Sequence, residues 1–251
     1  MKSTLNIFLG ILVVTSLFNS CKKDDDGNEN HVHLTFNFAH KVTGQNVEFD
    51  SIQFTNAAGN PFSIEVLKYF VSDVMLHKTA GSAVMIDEEH YVDARDQSTT
   101  SWTLDEDIEA GDYDHIMFTF GFDSAKNKIG LFNNPPEITM EWPVPLGPGY
   151  HYMKMEGKYD SSGVIKNYNT HTGQSNGNPY FVTVTLPASD FVVSDKDLEV
   201  NIVMNIENWY QNPNLYDFNT FGSAMMANET AQQLLMENGA DVFTLTSIEE
   251  K

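Results

Sequence analysis

From residue 31 onward, apolar and polar residues alternate, and a period of two is the pattern of a half-buried β-strand. His31-Val32-His33-Leu34-Thr35-Phe36-Asn37-Phe38 shows it first. Turns follow at Thr43-Gly44-Gln45 and Asn56-Ala57-Ala58-Gly59-Asn60-Pro61. Residues 62–77 also fit a helix over 67–75. Their β-branched and aromatic content, and the Ala80-Gly81-Ser82 turn leading into Ala83-Val84-Met85-Ile86, favour a strand or hairpin instead. Further strands are expected at 113–122, 149–159, 180–186 and 198–206. One helix is expected within 225–238, where Ala227, Ala231, Leu234 and Leu235 share a face and Gly239 offers a stop. Asp241-Val242-Phe243-Thr244-Leu245 then returns as a closing strand. The pattern predicts a mainly β fold. It is a single β-sandwich or partly closed barrel with one or two short helices, one of them near the C-terminus. A chain of 251 residues is long enough to build such a domain without a disulfide or metal staple.

Ahead of the alternating region, Lys2 precedes the apolar run Ile7-Phe8-Leu9-Gly10-Ile11-Leu12-Val13-Val14. A positive start with a short apolar run is an export signal, too short to span a bilayer. Leu17-Phe18-Asn19-Ser20-Cys21 resembles a bacterial lipoprotein processing box, with Asn19 in place of the usual small residue, and Cys21 is the sole cysteine. Residues 1–20 are therefore expected to be removed and Cys21 to carry a lipid. Residues 21–30 then form an acidic, flexible tether to a domain over 31–251. The order Lys22-Lys23-Asp24-Asp25-Asp26 resembles the lipoprotein surface-export signals of the Bacteroidetes. It implies the outer membrane with the protein at the cell surface; attachment on the periplasmic face is the alternative.

Charge narrows the partners. Against 35 Asp and Glu stand 14 Lys and Arg, for a net −21, and removing residues 1–20 takes away one Lys and no acid, leaving −22. Such a field repels phosphate backbones, excluding nucleic acid as a partner, and draws in cations. The chain has no nucleophile elbow, P-loop, dinucleotide glycine motif or His-Glu-x-x-His.

The histidines carry the chemistry that remains. His31 and His33, two apart on a strand, face one way and are a candidate metal pair. His77, His90 and His115 fall near expected strand ends and are read as surface residues. The richest stretch is Met140-Glu141-Trp142-Pro143-Val144-Pro145-Leu146-Gly147-Pro148-Gly149-Tyr150-His151, a rigid loop carrying Trp142, followed by Met153 and Met155 at strand spacing. His171 lies before a polar loop. Imidazole suits copper and zinc, and thioether sulfur favours Cu(I), so His151 with His171 is a candidate linear or T-shaped site.

Here the residues reach a family. Phe36-Asn37-Phe38, Leu67-Lys68-Tyr69-Phe70-Val71-Ser72, Phe120-Gly121-Phe122-Asp123-Ser124, the segment from Trp142 to Lys154-Met155-Glu156-Gly157, and His171-Thr172-Gly173 occur in order. Met225-Met226-Ala227-Asn228 and Glu237-Asn238-Gly239-Ala240-Asp241 follow. Together they resemble the methanobactin-associated copper-binding protein family (MbnP-like) over nearly all of residues 31–245. The resemblance implies a β-rich extracytoplasmic protein that binds copper. It also implies a tryptophan oxidised to kynurenine by a di-haem peroxidase partner and joining histidines at the metal. Carried onto this chain, Trp142 is the candidate kynurenine and His151 and His171 the candidate ligands, with His31, His33 and Met153 behind them.

Three readings follow. The first is a lipid-anchored copper-binding protein, not an enzyme, capturing scarce copper near Trp142. The second is a surface lipoprotein binding a glycan or partner protein without metal, using Tyr150, Tyr152, Tyr168, Trp209 and Tyr210 for stacking. The third is a hydrolase with two carboxylates across a cleft.

Overall fold

The computed structural model describes residues 32–251. The export signal, the tether with Cys21, and His31 lie outside the described residues. Thirteen strands follow one another: β1 (Leu34–Val42), β2 (Gln45–Asn46), β3 (Phe54–Thr55), β4 (Pro61–Phe62), β5 (Val66–Lys78), β6 (Ala83–Asp93) and β7 (Ser101–Thr103). Next come β8 (Gly111–Phe120), β9 (Met153–Ser161), β10 (Val164–Thr172), β11 (Val182–Val193), β12 (Leu198–Asn205) and β13 (Phe243–Glu250). Between the last two strands lie α1 (Phe218–Phe221) and α2 (Glu229–Asn238).

The strands form two sheets. The smaller runs β13-β12-β1-β2, with β7 also on β1. Its central pair is parallel, Leu34 opposite Leu198 through Lys41 opposite Asn205, joining the first strand to one near the end of the chain. The larger runs β11-β8-β5-β9-β4-β3, with β6 on β5 and β10 on β9. Both bury one face against the other, as the alternation requires. Aromatic contacts bridge the layers: Phe38 meets Tyr69 at 6.2 Å between ring centres, and Phe243 meets Phe118 at 5.2 Å.

β5 explains the curl of the larger sheet. One of its edges carries β6 throughout; the other carries β9 opposite Val66–Tyr69 and β8 opposite Val71–Lys78. The exchange of partner falls on Phe70, whose N–H donates to Tyr152 O (3.0 Å) and whose carbonyl accepts from Gly121 N–H (2.9 Å). Where the two strands part, Gly121 sits at φ +85°, and a Cβ there would lie 2.2 Å from the Tyr152 ring. Only glycine fits that fork.

The 62–77 ambiguity resolves into the β5–β6 hairpin. β10, of which only the His171 end was anticipated, completes the edge beyond β9. The C-terminal helix begins later than expected, at Glu229, because Asn228 caps it by accepting from Ala231 N–H (3.1 Å). Gly239 is not a left-handed stop: at φ −62° it continues into a further turn. Its missing side chain serves packing instead, since a Cβ there would lie 2.9 Å from Trp209 and 2.8 Å from Val182.

Candidate metal centre

The loop from Trp142 to Gly149 closes as a hairpin, with Trp142 N–H donating to Gly149 O (2.9 Å). It returns the chain so that His151 meets the carbonyl of Met140 twice. His151 N–H donates to that oxygen at 2.7 Å and ring Nδ1–H at 2.9 Å. A carbonyl only accepts, so Nδ1 carries the proton and Nε2 keeps its lone pair. Burial of this ring, 4% exposed, pushes the His151 pKa down to about 3, which keeps the imidazole neutral.

His171 reaches the same place from β10, opposite Lys154 of β9. Its Nε2–H donates to the Glu156 carboxylate (2.8 Å), and that bond holds the Glu156 pKa below the usual range. Nδ1 is left buried with no hydrogen-bond partner. The two imidazoles stand edge to face at 5.1 Å between ring centres, and Trp142 stands edge to face with His151 at 4.6 Å. Two imidazoles in line on one ion would place their ring centres about 6 Å apart, given metal–N bonds of about 2.0–2.1 Å. Of the linear and T-shaped arrangements expected, the observed spacing does not suit the linear one.

The surroundings fix these three rings. Trp142, 2% exposed, lies against the backbone of Gly173, where a Cβ would come within 2.7 Å of the indole. Gln232 of α2 is buried and holds both ends of that turn: it accepts from Gly173 N–H (3.3 Å) and donates to His171 O (2.9 Å). His171 N–H donates to the Met225 sulfur at 3.3 Å. Metal-binding imidazoles commonly depend on such outer contacts for tautomer and orientation. Sequence reading named the rings but missed Glu156, Gln232 and Met225; no local pattern links a C-terminal helix to a strand end some sixty residues earlier.

Two buried polar atoms on these rings lack partners: Trp142 Nε1 and His171 Nδ1. Buried polar groups are ordinarily satisfied, so a pair of orphans marks a place prepared for something else. One lone pair on each imidazole, in a neutral buried setting, fits a soft or borderline metal ion. The indole N–H is a donor with no lone pair to offer, so unmodified Trp142 acts as a wall.

The other candidates lie elsewhere. Met153 faces the opposite side of β9 from His171, fully buried in the core, and is not brought to the site; Met155 likewise faces inward, its sulfur accepting from Tyr210 O–H (3.6 Å). His33 sits at the start of the smaller sheet, 3.8 Å from Asp107, and its partner His31 lies outside the described residues. Tyr150, Tyr152, Tyr168, Trp209 and Tyr210 are all fully buried. That overturns their use as a sugar-stacking face: they are core residues, not an exposed patch. His77 and His115, read as unconnected surface residues, in fact stack on each other at 4.3 Å.

A family model described as MbnP matches residues 31–227. Among solved structures, MbnP from Methylosinus trichosporium matches with a TM-score of 0.51 at 11% identity, covering 87% of this chain and 98% of that one. At that identity the likeness carries the fold. No curated protein sequence matches the chain. The family match spans well over half the chain, from the first strand past α1 and through the Trp142–His171 region: the chain belongs to the MbnP family.

Proposed function

We propose that this protein binds copper between His151 and His171, outside the cytoplasm and anchored through a lipid on Cys21, and that it captures or hands on the metal without catalysing a reaction. The observation that carries this reading is the pair of buried imidazoles, each with one nitrogen tied by a fixed hydrogen bond and the other left with its lone pair. Two imidazole nitrogens with no carboxylate bonded directly between them favour Cu(I) over divalent ions. The match to the MbnP family supports this reading through the methanobactin-associated copper role that the resemblance implies.

Each residue has its part. Met140 O and Glu156 orient the two rings. Gln232 holds the turn that carries His171. Gly173 lets Trp142 close over the pair and exclude water. The net −22 expected of the processed chain raises the local concentration of cations. The resemblance further assigns Trp142 to oxidation to kynurenine by a di-haem peroxidase. That change would turn a wall into a third donor.

Intact mass and metal analysis of the protein purified from its native membrane test the reading. A bound equivalent of copper that is lost in His171→Ala is the expected result. A mass gain of about 4 Da localised to Trp142 would establish the kynurenine as well. A metal-free chain that refuses added Cu(I) would overturn the proposal.

A further inference from the structure

The larger sheet carries a second set of donors on its outward face, at the far end of β5. His77 of β5 and His115 of β8 are directly opposite each other in the register. Asp114 belongs with them for a structural reason. Neighbouring residues on a strand ordinarily face opposite ways. Here the register slips between His77 and Lys78: His77 pairs with His115 and Lys78 with Tyr113, leaving Asp114 as the extra residue of a bulge. The bulge turns Asp114 and His115 to the same side. The Asp114 Oδ1 accepts from His77 Nδ1 at 3.1 Å and lies 2.5 Å from His115 Nδ1. Among the described residues this is the group of three His, Cys, Asp or Glu side chains whose ligand atoms all fall within 4.8 Å of one another.

Ligand atoms around one first-row ion at about 2.0–2.2 Å stand roughly 3 Å apart, so one spacing already matches and the other needs to open by a few tenths of an ångström. All three side chains are 27–36% exposed, leaving a fourth position open to water. Two imidazoles with a carboxylate suit a divalent ion, and the general order of affinities puts Cu(II) first.

One rung away on the same face, the register lines up Met85, Met75 and Met117 across β6, β5 and β8. Residues two apart on a strand are roughly 7 Å apart. The three methionines line one groove, whose other end holds Lys126 among Asp73, Asp87 and Glu89. Those three acids are engaged by the ammonium, and Asp123, also on the groove, accepts from the backbone N–H groups of Ala125 and Lys126, so the soft donors along the groove are the three sulfurs. Thioethers are donors for Cu(I).

We propose that this face is a second copper-binding site, in which His77, Asp114 and His115 hold Cu(II) and the Met75–Met85–Met117 rung holds Cu(I). It stands apart from the Trp142 centre: nine residues of β5, roughly 30 Å of strand, separate His77 from Lys68, which lies across β9 from His171. It does not depend on copper binding there.

The test adds Cu(II) to metal-free protein and follows its electron paramagnetic resonance spectrum. Wild type should show one bound Cu(II) with hyperfine structure from two nitrogens. His77→Asn/His115→Asn should lose that signal and bind Cu(II) at least tenfold more weakly, whereas His171→Ala should retain it. No Cu(II) signal in wild type, or an unchanged signal in the double variant, overturns the His rung. For the methionines, Cu(I) equivalents are counted by competition with a chromophoric chelator. Met75→Leu/Met85→Leu/Met117→Leu, which conserves volume, should bind one equivalent fewer, and an unchanged count overturns the Met rung. Circular dichroism confirms that each variant is folded.

Discussion

Two pairs of histidines in this molecule stand at nearly the same separation, 5.1 Å for His151 with His171 and 4.3 Å for His77 with His115, and almost everything else about them differs. The first pair is buried, edge to face, with each ring tied separately, one to a carbonyl and one to a carboxylate that faces away from its partner. The second is stacked on an open strand face with one carboxylate shared between the rings. Two imidazoles therefore say little by themselves. What surrounds them decides whether a site is dry and neutral, suited to Cu(I), or wet and anionic, suited to Cu(II). Burial also makes the first pair part of the folded core, while the second adds chemistry to a surface the fold does not need.

The contrast in stability is the largest effect expected. Trp142→Ala should cost about 3–5 kcal/mol, because it removes a buried indole packed against Gly173 and His151, and should abolish copper retention at the buried pair with it. Denaturant unfolding of the metal-free protein measures it. A cost under 1 kcal/mol would mean that the buried centre is not part of the core.

Acid should separate the two sites next. Burial holds His151 at about 3, and holds His40, far from either site and hydrogen-bonded with Tyr69 O–H, at about 4, against an ordinary 6.5. Both values are depressed, so the unfolded chain takes up these protons first. Stability is complete above about pH 6.5 and is lost as pH falls towards 3, by up to about 1.4 kcal/mol per unit for each ring. Melting temperatures of metal-free protein at pH 7 and pH 4 should show this loss, and His40→Leu should flatten it in part. A melting temperature independent of pH over that range would contradict the burial argument.

Gln232→Leu sharpens the comparison from outside the rings. It strands Gly173 N–H and His171 C=O in a buried place, at about 1–3 kcal/mol, and should weaken copper binding at the buried pair about 10–100-fold while leaving the His77 rung untouched. Equal weakening at both sites would show that the loss is general unfolding. The smallest effect belongs to the surface. Asp114→Asn should change stability by no more than about 0.5 kcal/mol, yet lower Cu(II) affinity at its own rung.

The two sites also differ in how far the sequence discloses them. The strands, the β5–β6 hairpin and the three rings of the buried centre are legible because alternation marks inward residues and the motifs around Trp142 and His171-Thr172-Gly173 are local. The bulge at Asp114 is not: alternation assigns Asp114 and His115 to opposite faces, and only the slipped register of β8 with β5 brings them together. The inward turn of Met153 follows from the same alternation once the side facing the core is known, whereas Tyr150 precedes β9 and Trp209 lies in a short 3-10 turn, where alternation says nothing. The contribution of α2 depended on a long-range contact that no spacing announces.

The parallel pairing of β1 with β12 has a consequence for the order in which the molecule can be assembled. Phe36 and Phe38 lie in the middle of the smaller sheet, yet the partner that covers one edge of their strand is Leu198–Asn205, some 160 residues later. A chain emerging from its N-terminus must hold this apolar strand unpaired along that edge until about four-fifths of the whole sequence has been made. Contacts of such separation slow folding and leave the early strand open to association. Nascent chains of this protein therefore need either restraint or delay: the first strand to appear is among the last to find its place.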